Sequence, residues 1–125
     1  MSGKGVLIDS VVFIDHFNGI EAATKYLRKT RKIGYVSPIT VAEVLAGMRG
    51  KARRLARRFL DCYDFAGMDR EIADLAAELR QAEGWKLPDA FQAAVARYNG
   101  LSLATRNTKD FNPDKYPFVV VPYPF

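Results

Sequence analysis

With 125 residues, 49% hydrophobic and 26% charged, the chain has the make-up of one folded domain and not of a disordered or fibrous protein. Its one cysteine, Cys62, excludes an intrachain disulfide and a cysteine-built zinc site. No apolar run approaches the ~20 residues of a membrane helix, so the expectation is a single soluble cytoplasmic domain spanning residues 1–125, with no membrane partner. The net charge of +5 is clustered. Arg49, Lys51, Arg53, Arg54, Arg57 and Arg58 follow one another without an intervening acid, and Lys25, Arg28, Lys29, Arg31 and Lys32 form a second such group. Clusters of this kind favour a polyanionic partner.

In chain order, Val6-Leu7-Ile8 is a short, fully apolar run that stops at Asp9, as a buried parallel strand does. Residues 11–17 and 20–28 read as helices split at Asn18-Gly19, and Tyr35-Val36 as a second strand. Ser37-Pro38 is a favourable cap with proline at the first helical position, opening a helix to about Met48. Residues 51–62 continue as a helix expected to bury Leu55, Phe59 and Cys62, the last as a small hydrophobe. Residues 63–66 suggest a third strand. Asp69 caps a helix with Ile72, Leu75, Ala76 and Leu79 on one face, closed by Gly84. Pro88 opens the next, with Phe91, Ala94, Val95 and Tyr98 expected inward. Residues 101–104 and 118–121 complete five strands. Short apolar strands alternating with helices predict a three-layer α/β/α sandwich around a parallel sheet.

Four carboxylates are distinguished by position. Asp9 and Asp110 follow strands, while Glu43 and Asp89 are placed in the first turns of helices that begin at the same sheet edge. In parallel α/β sheets ligands bind beyond the carboxyl ends of the strands. Carboxylates converging there without cations repel one another and raise each other's pKa. A hard divalent cation with oxygen ligands relieves that repulsion. Taken singly, each acid also has a plain structural reading: a turn, a solvated helix charge or a helix-dipole partner. His16 is the one histidine, and no nucleophile-elbow or phosphate-loop spacing occurs.

Residues 7–15, Leu-Ile-Asp-Ser-Val-Val-Phe-Ile-Asp, resemble the opening motif of the PIN-domain nucleases. Residues 37–44, 87–94 and 101–111 resemble their second and third motifs and their closing strand and loop. The match runs in order over nearly the whole chain, and the layout resembles the VapC toxins of VapBC toxin–antitoxin modules. The resemblance implies that Asp9, Glu43, Asp89 and Asp110 are both catalytic and metal-binding, holding Mg²⁺ or Mn²⁺ for endonucleolytic cleavage of RNA. Ser10, Thr105 and Asn107 stand as supporting residues. Ser10-Val11 replaces the Thr-Asn that often follows the family's first acid, and Asn107 occupies a place that is sometimes acidic. The resemblance further implies a VapB-like antitoxin and a homodimer, and the apolar side chains on the helices after Ser37 and Lys51 give the dimer independent support. Arg53, Arg54, Arg57 and Arg58 are candidate RNA contacts. The alternative is a non-catalytic RNA-binding or scaffold protein with a vestigial acidic site.

Overall fold

The computed structural model describes residues 5–125. Five strands form one parallel sheet: β1 (Val6–Ile8), β2 (Gly34–Val36), β3 (Asp64–Phe65), β4 (Ser102–Ala104) and β5 (Val119–Val120), in the order β3-β2-β1-β4-β5. Six helices surround it: α1 (Ser10–Phe17), α2 (Glu21–Thr30), α3 (Pro38–Ala46), α4 (Gly50–Leu60), α5 (Arg70–Glu83) and α6 (Leu87–Tyr98). A short 3₁₀ turn, Arg31–Ile33, leads into β2.

The α/β/α layering follows from the alternation of side chains along β1. Leu7 packs into one core with Ile72, Ala76, Leu79, Ala93 and Ala94 of α5 and α6. Val6 and Ile8 pack into the other, with Val12, Phe13, Leu27, Val44 and Leu60 of α1 to α4. All three β1 side chains are buried, which explains why the strand reads as an unbroken apolar run. Gly34 is required by close packing: a Cβ there would lie 3.0 Å from both Ile8 and Tyr63.

The helix boundaries follow their caps. Ser37 accepts from the Thr40 amide at 3.2 Å, and Pro38 takes the first turn of α3, where its missing N–H costs nothing. Asp69 accepts from the Ile72 amide at 3.0 Å. Gly84, with φ of 77°, closes α5 in the left-handed conformation that glycine adopts without strain.

Three side chains differ from the sequence expectation. In α4 the buried residues are Ala56 and Leu60, whereas Leu55 is 52% exposed and Cys62 is also exposed. The inward face of α4 is thus the i, i+4 pair Ala56 and Leu60, with Phe59 half-buried beside it. Tyr98 is exposed at the end of α6, whereas the expected Ala94 and Val95 are buried together with Ala90, Gln92, Ala93 and Ala96.

The order β3-β2-β1-β4-β5 reverses direction between β1 and β4, where the crevice of an open parallel sheet lies beyond the strand ends. Asp9 stands there, directly after β1. Among the described residues, no helix is long and apolar enough to cross a membrane.

Candidate active site

Asp9 caps α1 from the end of β1, and three neutral donors hold its carboxylate. Oδ1 accepts from the Ser10 amide at 2.9 Å and from Gln92 Nε2 at 3.2 Å. Oδ2 accepts from the Thr105 hydroxyl at 2.7 Å. Its orientation is therefore fixed without its charge being neutralised.

Gln92 is the buried hub behind this arrangement. Its side-chain oxygen accepts from the Ser37 hydroxyl, and its amide also donates to Thr40 Oγ1 at 2.9 Å. Thr40 in turn donates to the Ile8 carbonyl at 2.9 Å. One amide thus joins α6, the start of α3 and the end of β1. Sequence reading missed Gln92, which lies among alanines in α6; a polar residue on an otherwise apolar stretch was the available signal.

Glu43 falls in the second turn of α3, not the first, because the helix begins at Pro38. That turn carries it above Ser10, whose hydroxyl donates to Glu43 Oε1 at 2.7 Å, and Glu43 remains exposed. Asp89 occupies the first turn of α6, three residues before Gln92. Asp110 lies in the loop after β4, where Asn107 Nδ2 donates to its Oδ2 at 3.0 Å and the Asp110 amide donates back to Asn107 Oδ1 at 3.3 Å. Trp85, buried against Phe111, donates to the Asp110 carbonyl at 3.0 Å and anchors that loop. The Asn107 amide donates to Thr105 Oγ1 at 3.0 Å, so the loop connects directly to the group that holds Asp9.

The electrostatics join the four acids. Asp89 is pushed up to about 6 by burial first, then by the charges of Asp9, Asp110 and Glu43, with only Lys86 opposing. No ion pair among the described residues engages any of the four. Nor do three carboxylate, histidine or cysteine side chains there stand close enough to form a ready ligand set. An all-oxygen, uncompensated donor set of this looseness fits a hard cation such as Mg²⁺, which keeps several waters and takes only one or two carboxylates directly. It does not fit a dry all-protein cage.

Among the described residues, the basic clusters make no pairing with the four acids. Arg53, Arg54, Arg57 and Arg58 are exposed on α4, and no hydrogen bond or ion pair ties them to the four carboxylates. Arg28, Lys29, Arg31 and Lys32 line a cavity of about 530 Å³ with His16, Phe59 and Tyr63. His16 Nδ1 lies 2.7 Å from the Thr24 hydroxyl, its ring stacks on Phe59, and burial lowers its pKa.

Residues 6–113 match the model of the PIN domain, and the chain belongs to the PIN-domain family. Ribonuclease VapC10 of Mycobacterium tuberculosis is 34% identical over 113 residues, covering 85% of each chain. A toxin–antitoxin complex from Klebsiella pneumoniae superimposes with a TM-score of 0.88 at 34% identity, over 97% of this chain and 100% of that one. FitAcB from Neisseria gonorrhoeae shares the fold, with a TM-score of 0.76 at 23% identity over 96% and 99% of the two chains.

Proposed function

We propose that this protein is a metal-dependent endoribonuclease, the toxin of a toxin–antitoxin pair, with Asp9, Glu43, Asp89 and Asp110 as its active site. The observation that carries the reading is the gathering of four carboxylates without a paired cation, expressed in the raised pKa of Asp89. The relatives supply the class: one is named a ribonuclease, and another was solved as a toxin–antitoxin complex. A VapB-like antitoxin and a homodimeric state belong to the same proposal.

One or two of the four acids would hold Mg²⁺ or Mn²⁺ directly and the others through water, and in such a site the ion would polarise phosphate oxygens and lower the pKa of water. The chain's own groups do the rest. Asp9 presents a charge whose direction Ser10, Gln92 and Thr105 have fixed in advance, so no reorganisation is needed when substrate binds. Glu43, exposed and tethered through one oxygen, leaves Oε2 to accept the proton of an attacking water. Asn107 restrains Asp110 at the rim. The exposed arginines of α4 supply phosphate contacts along the bound strand.

The test is incubation with defined RNAs in Mg²⁺, Mn²⁺ or EDTA. Endonucleolytic cleavage that requires the cation, and that Asp9→Asn combined with Asp89→Asn abolishes, is the expected result. RNA binding that survives EDTA with no cleavage under any condition would replace this reading with that of a non-catalytic RNA-binding protein.

A further inference from the structure

The side chain of Arg106 enters the same cleft as Asp9. A depression of about 270 Å³ is lined by Asp9, Val11, Arg106 and Asn107, so a cation stands beside the foremost acid without pairing to any of the four. The chain brings it there directly: Thr105 holds Asp9, Asn107 holds Asp110, and Arg106 lies between them.

Its support comes from distant parts of the sequence. Arg106 Nη2 donates to Asp15 Oδ1 at 3.3 Å, and its Nε lies 2.9 Å from Asp15 Oδ2. That oxygen already accepts from the Tyr123 hydroxyl at 2.6 Å. The Arg106 Nε is buried against Asp15, its N–H not aimed at that oxygen, and so faces away from a ligand; the donors left for one are on Nη1, which no hydrogen bond among the described residues uses. The guanidinium also lies 5.1 Å from the centre of the Phe125 ring. A guanidinium carries five donors in a planar fork suited to phosphate. Here it is held in place, yet incompletely used.

We propose that Arg106 forms a phosphate subsite beside the acids, donating to a non-bridging oxygen of the bound RNA strand, with Asp15 and Tyr123 as its positioning residues. This rests on the ribonuclease reading. It assigns the cation that lines this depression to substrate binding rather than to neutralising the carboxylates. Asp15 stabilises the guanidinium without occupying the fork fully, and the aromatic ring limits its swing.

The test combines cleavage kinetics across a salt series with nitrogen-15 NMR of the arginine side chains during titration with inorganic phosphate. Arg106→Lys identifies the Arg106 signal by its disappearance. The expected result is a KM raised roughly tenfold to a hundredfold in Arg106→Gln, the scale of a charge-assisted hydrogen bond. The salt slope of RNA binding should fall by about one. Arg106→Lys should fall between, because it keeps the charge and loses the fork. Phosphate should shift the Arg106 guanidinium signal in the wild type, and more weakly in Tyr123→Phe. If the wild type cleaves RNA while Arg106→Gln keeps its KM and salt slope, the subsite is wrong and the nuclease reading stands. If the wild type ignores RNA but its Arg106 signal saturates with phosphate, the subsite stands and the nuclease reading falls. No shift with phosphate and no RNA binding overturns both.

Discussion

At the scale of single residues, Asp89 links the site to stability. Its folded pKa of about 6 lies above the ordinary 3.8, so between those values the folded chain holds a proton that the unfolded chain has released. The contribution of Asp89 to stability is therefore undiminished below pH 3.8, declines as pH rises towards 6, and is unfavourable above. Asp89→Asn should raise the melting temperature of the metal-free protein at pH 7.5 and change it little near pH 4, as measured by thermal denaturation in EDTA. The same substitution should sharply reduce cation-dependent cleavage, so stability and activity move in opposite directions. Asp9 and Asp89 were legible in the sequence because each sits where an apolar run or a helix begins or ends. Arg106 was not: Asp15, which holds it, is 91 residues away in the sequence, and Tyr123, which holds Asp15, is 108 residues from Asp15. Separations of that size leave no local pattern to read.

At the scale of elements, the tie between α3 and α6 depends on Gln92. Gln92→Leu keeps the volume but strands buried groups of Ser37 and Thr40 and removes one donor from Asp9. A cost of roughly 1–3 kcal/mol for a buried group left unsatisfied is expected, read by urea denaturation. The loosened Asp9 should lower activity as well, under conditions where the variant is folded. On α4, replacing Arg53, Arg54, Arg57 and Arg58 by Gln should flatten the salt dependence of RNA binding, by at most about one unit of slope per lost contact. An unchanged slope would return this face to ordinary solvated surface. The amphipathic pattern located α4 correctly but ranked its faces by side-chain size, so Leu55 was expected inside. In the fold, Ala56 and Leu60 face inward. Periodicity identifies an element more securely than it identifies which small residue that element buries.

At the scale of the whole molecule, the parallel order of the sheet was legible in outline, since short apolar strands separated by helices admit few other arrangements. The pairing of β1 with β4 required the folded chain, because strands of three residues carry no register of their own. The sheet leaves an edge at β3, both of whose residues are exposed, with Phe65 at 62% and Leu55 of α4 at 52%. Isolated apolar side chains on a surface are ordinary, whereas a contiguous patch favours association. Light scattering at micromolar concentration should give the mass of two chains, and Phe65→Glu should give one if the β3 edge carries the contact. A single-chain mass for the wild type, unchanged on concentration, removes the dimer and leaves the proposed chemistry untouched.

The sheet order also sets a timetable. Asp9 belongs to the first tenth of the chain, yet the Thr105 hydroxyl that orients it and the β4 strand beside it come from the last quarter. The Tyr123 hydroxyl that engages Asp15 comes later still. During synthesis, a chain released only as far as residue 85 would possess Asp9 and Glu43 but neither Asp89 nor Asp110, and no β4 to pair with β1. The cleft closes only after Thr105 and Asp110 have been added to the chain. A partly made chain therefore carries carboxylates of the site without the groups that orient them.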